Sequence, residues 1–282
     1  MVWEITHDVD AFFSATDAYL TADPVRNTVL LTVADTVRSR GPYAYGGDLP
    51  ARFGWWRAQD GAVEGAYVHT PPYRPTLGPM AEETARALVR KWRASGAAVP
   101  GVSGGAALVR VVGGEWAATG GGWTVFRDQR LFRLGELTPP QPEPPGSARL
   151  ADAADVPLVV RWFEDFSEAI GEGSGNVPTQ AQNRVATGRL VLWVLDGTPV
   201  SMAGFSPVIA GQGRVAPVYT PAELRGRGYA GMATVAASRA LIAAGAEEVL
   251  LYTDLSNPTS NALYQRLGYR PVEDVTVLDL HD

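Results

Sequence analysis

Val218-Tyr219-Thr220-Pro221-Ala222-Glu223-Leu224-Arg225-Gly226-Arg227-Gly228-Tyr229-Ala230 decides how this chain is read. An apolar stretch over 214–220 has the character of a strand and stops at a proline. A loop of glycine and arginine turns the chain. An alanine-rich run then carries helical composition to about residue 244. Strand, glycine loop and helix start together make an anion site. The first N–H groups of a helix have no partner inside it, and the helix dipole favours negative charge there. Gly226 and Gly228 let a backbone approach a phosphate closely, and Arg225 and Arg227 add forked cationic donors. A lone Gly-Arg-Gly is commonly a solvated turn; the strand before this one and the helix behind it favour the anion site. The spacing is not that of a dinucleotide fingerprint, which needs three glycines and an acidic residue about 20 positions on. Nor is there the Gly-Lys-Ser/Thr of a phosphate loop.

A second stretch lies one helix and one strand downstream: Asp254-Leu255-Ser256-Asn257-Pro258-Thr259-Ser260-Asn261-Ala262-Leu263-Tyr264-Gln265-Arg266-Leu267-Gly268-Tyr269. Asn257-Pro258 opens a turn, and the polar residues after it cap a short helix. Tyr264 and Leu267 share a face of that helix, where packing alone would account for the tyrosine.

Together the two stretches resemble the GNAT acetyltransferase superfamily. Its cofactor loop, Arg/Gln-x-x-Gly-x-Gly/Ala, is matched by Arg225, Gly228 and Ala230. An Asn after the fifth strand, a tyrosine on the next helix and Leu-Gly-Tyr/Phe are matched by Asn257, Tyr264 and Leu267-Gly268-Tyr269. The resemblance covers about 148–282 and implies an acetyl-CoA-dependent N-acetyltransferase. It implies that Val218, Tyr219 and Thr220 pair with the pantetheine arm, with a backbone N–H near Val218 as oxyanion donor. It implies that Arg225, Gly226, Arg227, Gly228, Tyr229 and Ala230 grip the pyrophosphate. Asn257, Ser260 and Asn261 would flank the cofactor, and Tyr264 would protonate the departing thiolate. The implied fold is α/β (α+β): two GNAT-like domains, each a mixed, mostly antiparallel twisted sheet flanked by helices.

Two domains follow from organisation as well. The chain has 282 residues, enough for two cores. Pro139-Pro140-Gln141-Pro142-Glu143-Pro144-Pro145-Gly146 divides it almost in half and reads as a stiff, extended spacer. The expected division is a degenerate domain over 1–138, a linker over 139–146 and the cofactor-binding domain over 147–282. In the second half, strands are expected at 148–150, 190–195, 199–205, 214–220, 249–253 and 272–280, the last completing that sheet. Helices are expected at 153–170, from Tyr229 to about 244, and at 259–267, with a glycine-rich loop over 171–182. The first half shows helices at 9–20, 25–39, 80–95 and 106–118. Its strands fall at 52–57, 63–69, near 99–102, and at 123–126 and 131–137. This order suggests an internal repeat. Glu64 to Thr70 stands where the cofactor strand would be, but Tyr73-Arg74-Pro75-Thr76-Leu77-Gly78 does not supply the loop. The first half is therefore expected not to hold acyl-CoA productively. Shaping the substrate site or a homodimer contact are the roles open to it.

Composition narrows the chemistry. There is no cysteine, which excludes disulfides, thiolate metal sites and a cysteine acyl-enzyme. The three histidines (His7, His69, His281) are far apart in sequence and do not suggest a polyhistidine metal site, so no metal is expected. Lys91 is the sole lysine and the sole candidate for Schiff-base chemistry. A net charge of −6 gives no electrostatic footprint for nucleic acid. No apolar run reaches the roughly 18 residues of a membrane span, and the opening residues lack a secretory pattern, so a cytoplasmic protein is expected. The acceptor is expected to be a primary amine of a small molecule or peptide. Glu223 stands with Tyr264 as catalytic candidate; Glu164, Glu168, Asp254, His69 or a water chain are the other routes for the amine's proton. Trp162, Phe163 and Phe166 border the expected acceptor side, with core packing the simpler account of each. A non-catalytic acyl-CoA sensor is the alternative class. A tandem transferase using aminoacyl-tRNA is a third, disfavoured by the acidic charge.

Overall fold

A computed structural model describes residues 1–171 and 177–282. They run as β1 (Val2–Thr6), α1 (Val9–Ala22), α2 (Thr28–Arg40), β2 (Arg52–Arg57), β3 (Val63–His69), β4 (Thr76–Leu77), α3 (Glu82–Ser95), β5 (Gly101–Gly105), α4 (Ala106–Ala118) and β6 (Gly122–Leu134). The same succession then repeats: β7 (Ser147–Leu150), α5 (Val156–Ala169), α6 (Val177–Ala186), β8 (Leu190–Leu195), β9 (Thr198–Phe205), β10 (Gln212–Tyr219), α7 (Tyr229–Ala243), β11 (Glu248–Asp254), α8 (Pro258–Arg266) and β12 (Tyr269–His281). Strand pairing repeats too. The first four strands of each half pair antiparallel in order, and the fourth pairs parallel with the fifth.

The repeat corrects one alignment. The strand equivalent to β10 is the two-residue β4, not the 64–70 stretch, which is the middle strand β3. It also accounts for two elements that the sequence pattern passed over, β1 and α6. The loop expected over 171–182 lies partly outside the described residues. From Val177 it is helix, burying Val177, Ala181 and Val185 at intervals of four.

The contacts divide the chain into two units. The first comprises 1–131, 254–256 and 273–282, the second 132–253 and 257–272. The two long strands β6 and β12 each cross this division. The last strand was expected to complete the second sheet. Instead Val275 to Asp279 pair antiparallel with Gly105 to Gly101 of β5, and Leu278 and Leu280 enter the first unit's core with Tyr67, Leu88, Trp92 and Trp116. Arg74 bonds Asp279 through Nε at 2.8 Å, and Trp116 Nε1 donates to the His281 carbonyl at 2.9 Å.

In the second unit, α7 and α8 bury one side of the sheet around Met232, Ala233, Val235, Leu241, Tyr264, Leu267 and Tyr269. On the other, α5 and α6 bury Val159, Trp162, Phe163, Ala181 and Val185 against Leu190, Leu192 and Met202. The proline-rich segment is not a free spacer here. Thr138 N donates to the Leu267 carbonyl at 3.0 Å and Trp193 Nε1 to the Pro145 carbonyl at 3.1 Å. A Cβ at Gly231 would stand 3.1 Å from Pro140 Cγ, and one at Gly228 3.3 Å from Pro144 Cγ. The segment lies against the start of α7 and the end of α8.

Candidate active site

The site is built where β10 parts from β11. These parallel strands pair at Gln212–Glu248, Gly213–Val249 and Arg214–Leu250, and no further. On its other edge β10 keeps antiparallel pairing with β9, from Val215–Phe205 to Val218–Ala203 and Tyr219–Met202, with a bulge at Ala216 and Pro217. Gly204 faces the bulge, where a Cβ would approach the Ala216 carbonyl oxygen to 2.8 Å. A bulge bends its strand, and here it falls where pairing with β11 stops. Val218 and Tyr219 therefore present backbone groups on an edge unpaired by β11, which is what strand-like binding of an extended ligand needs. Ser201 fixes the end of β10, donating to the Tyr219 carbonyl at 3.0 Å and sharing a 2.8 Å hydrogen bond with Thr220 Oγ1.

The loop closes on itself. Arg225 Nε donates to the Thr220 carbonyl at 3.0 Å, and Arg227 Nη2 to the Glu223 carbonyl at 3.2 Å. Both arginines thus brace the turn as well as adding charge. Gly226 and Gly228 adopt φ of 76° and 84°, a region costly to any residue with a Cβ. Gly228 is the N-cap of α7 and offers no side-chain acceptor to the helix. The first hydrogen bond within α7 runs from Met232 N to the Gly228 carbonyl, 3.2 Å, so the N–H groups of Tyr229, Ala230 and Gly231 precede it. Tyr229 and Gly231 are buried and Ala230 is half-buried. An uncapped 15-residue helix with no acid in its first turn is suited to an anion.

On α8, Asn257 Oδ1 accepts the Ser260 amide at 3.0 Å and Asn261 Nδ2 donates to the Asn257 carbonyl at 2.8 Å. These contacts set the helix start. Tyr264 is 8% exposed, packed edge-on to Tyr269 at 6.1 Å. Burial pushes its phenol up to about 12. Among the described residues its hydroxyl has no hydrogen-bond partner, whereas that of Tyr269 is held by Ser238 at 2.7 Å. Tyr264 thus combines a packed ring with an uncommitted O–H that stays protonated at neutral pH.

The carboxylates separate. Glu223 is exposed on the short 3-10 turn Ala222–Leu224, and Glu164 and Glu168 are exposed on α5. Asp254 Oδ1 accepts the amide and hydroxyl of Ser256, at 2.7 and 2.6 Å, in a tight turn. His69 belongs to the first unit, is 5% exposed, and is held near pKa 4 by burial and by the Arg52 charge. Trp162 and Phe163 are core residues and Phe166 is half-buried. Sequence reasoning missed Asp165. It accepts the Tyr219 hydroxyl at 3.0 Å, and the Tyr219 ring lies 5.9 Å from that of Trp162. Burial first, then the Asp165 hydrogen bond and charge, raises the Tyr219 phenol. Asp165 sits beside Glu164, and nothing in the sequence sets the two apart.

Residues 156–269 match the model of the acetyltransferase (GNAT) family. That segment belongs to the GNAT family. Solved structures extend the fold to the whole chain. A GNAT-family acetyltransferase from Colwellia psychrerythraea matches with a TM-score of 0.60 at 9% identity, covering 100% of this chain and 99% of its own. A Drosophila protein matches at 0.69 and 12% identity over 99% and 98%. A tandem GNAT protein from the clavulanic acid biosynthesis pathway matches at 0.59 and 14% over 99% and 98%. No curated protein sequence matches the chain. The fold is thus that of a tandem GNAT protein.

The two halves differ at the helix start that follows their fourth strand. The start of α3 corresponds to that of α7, but its first turn carries Glu82 and Glu83, which oppose an anion. Tyr19 fills the space before it, its hydroxyl donating to the Pro79 carbonyl at 2.5 Å. A Cβ at Gly78 would already collide with the Tyr19 hydroxyl oxygen, at 2.4 Å. Among the described residues no group of three metal-ligating side chains occurs, and no helix is long and apolar enough to cross a membrane.

Proposed function

We propose that the second unit binds acetyl-CoA and transfers its acetyl group directly to a primary amine of a small molecule or peptide. The parting of β10 from β11, at a loop that leads into an uncapped helix, carries this reading. Acetyl-CoA supplies the acyl group as an activated thioester. The N–H groups of Arg225 to Ala230 would hold its pyrophosphate, and the edge of Val218 to Thr220 left unpaired by β11 its pantetheine arm. The Val218 N–H would polarise the thioester carbonyl. Asn257, Ser260 and Asn261 set the α8 start beside which the cofactor would pass. Tyr264 would give its proton to the thiolate. Glu223 adds negative charge near Tyr219, which favours a cationic acceptor. The first unit, with Tyr19 in the equivalent place, would hold no acyl-CoA.

Thermal unfolding with and without acetyl-CoA tests this reading. At about 100 times Kd, ligand stabilises by roughly 2.7 kcal/mol. The expected result is a rise in Tm with acetyl-CoA that disappears when Arg225 and Arg227 are both changed to Ala. No rise with acetyl-CoA, CoA or longer acyl-CoAs would overturn it. A rise without transfer to any amine would favour a sensor, a reading opposed by the uncommitted hydroxyl of Tyr264.

A further inference from the structure

Direct transfer requires the acceptor to arrive as an ammonium ion and to react as a free amine. Of the carboxylates weighed from sequence, Glu164, Glu168 and Glu223 form no side-chain hydrogen bond to the cofactor strand among the described residues, and Asp254 holds the turn at Ser256. Asp165 does bond to that strand. Tyr219, the last residue of β10, donates its hydroxyl to Asp165 Oδ2 at 3.0 Å. The Tyr219 ring is braced by the buried Trp162, one turn before Asp165 on α5, and its backbone by Ser201. Asp165 is exposed and forms no ion pair among the described residues, so its other lone pairs are available. We propose that Asp165 is the proton acceptor for the incoming ammonium, and that Tyr219 is the positioning residue that aims it. This inference rests on the reading of the second unit as an acetyltransferase.

The step is a proton transfer. An N–H bond of the ammonium breaks, an O–H bond forms on Asp165, and the nitrogen keeps the electron pair with which it attacks. The charge balances: a cation and a carboxylate become a neutral amine and a neutral acid. The proton then passes to solvent, to which the carboxyl is open. The hydrogen bond from Tyr219 holds Oδ2, which leaves Oδ1 to take the proton. Around this pair, Glu223 and Arg225 face Tyr219 from the loop after β10. On α5, Arg161 and Glu168 lie about one turn before and after Asp165, with Glu164 beside it. From α6, Arg184 is engaged with the Phe205 carbonyl. The glutamates add negative charge that favours the approaching cation. The acceptor class is therefore an amine that is protonated at working pH.

The test compares two nucleophiles on the full chain. Ethylamine and phenethylamine arrive as cations, while hydroxylamine at pH 8 is already neutral. Asp165→Asn is expected to lower kcat with the cationic amines by about 10²-fold or more, the scale of general-base catalysis, and to leave transfer to hydroxylamine unchanged. The remaining rate with cationic amines should climb with pH as free amine accumulates. Tyr219→Phe should produce a smaller loss of the same pattern. A readout free of turnover is tyrosine absorbance at 295 nm: removing the Asp165 charge should bring one phenol titration to lower pH. An equal loss with both nucleophiles, an unmoved tyrosine titration, or the ammonium-selective loss appearing in Glu223→Gln instead would each overturn the assignment. Transfer by the unaltered protein to hydroxylamine but to no cationic amine would overturn it and leave the acetyltransferase reading standing. Absence of acetyl-CoA binding would remove both.

Discussion

Replacing Gly228 with alanine probes the turn that opens α7. Its φ of 84° places an L-residue in the left-handed region at a cost of about 1–2 kcal/mol. Alanine also restricts the unfolded chain, which offsets about 0.4–1 kcal/mol of that. The net backbone effect is a loss of about 1 kcal/mol. Gly226, at 76°, carries the same backbone effect, but a Cβ there meets nothing within 4 Å. At Gly228 the Cβ would lie 3.3 Å from Pro144 Cγ, so the proline ring must also yield. Gly226→Ala should therefore cost about 1 kcal/mol and Gly228→Ala clearly more. With a urea m-value of about 1–3 kcal/mol/M, the first should move the midpoint by about 0.3–1 M. Unfolding in urea, followed by tryptophan fluorescence, reads both. Pro144→Ala removes the ring atom nearest the new Cβ and should narrow the gap between the two variants, measured as a double-mutant cycle. Equal costs, or a Gly228→Ala protein as stable as the parent, would refute the left-handed helix start packed against the proline segment.

Tyr264→Phe should lower kcat by about 10²-fold or more while leaving the acetyl-CoA thermal shift intact, because the ring contributes packing and only the O–H is lost. Ser201→Ala removes both bonds that anchor the end of β10 and should destabilise the second unit by about 1–2 kcal/mol, seen as a lower urea midpoint, and weaken acetyl-CoA binding. His69 binds its proton less readily in the folded chain, near pKa 4, than when unfolded, near 6.5. The unfolded state thus holds more protons between these values, and stability should fall as pH drops from about 6.5 towards 4, with a slope approaching one proton. His69→Gln should flatten that slope in urea melts taken across the range. Asp155→Ala leaves Arg149 without the carboxylate it meets at 2.6 and 2.8 Å and opens the turn before α5; a loss of about 2 kcal/mol is expected by the same measurement.

Much of the fold was legible because its signals are local. The apolar run Leu190–Leu195 and the helix Ala106–Ala118 fall where pattern placed them. Within that helix Gly113 makes room for Trp123, whose ring atoms would lie about 3 Å from a Cβ. Elements with little local signal were harder. β4 has two residues, too few for any periodicity. β6 was read as two strands because Arg127-Asp128-Gln129-Arg130 is polar, yet it runs unbroken. Pairing of β12 with β5 joins residues about 175 positions apart, and no spacing rule reaches that far. The turn into α7 could be read because it depends on glycine, arginine and a helix start within thirteen residues. Asp165 could not, since its role comes from Tyr219, 54 positions away.

The last strand has a consequence for synthesis. A chain leaving the ribosome makes the first unit's leading five strands early and must wait for residues 273–282 to close that sheet. Until then β5 is an open edge, with buried-type residues such as Val102 uncovered. All of the second unit's residues are made before that edge is closed. Vectorial folding should therefore run against the order of the sequence, with the second half able to mature first and the opening half sealed only once β12 has emerged. Deleting residues 273–282 would spare the loop before α7 and leave the sheet of the opening half unfinished.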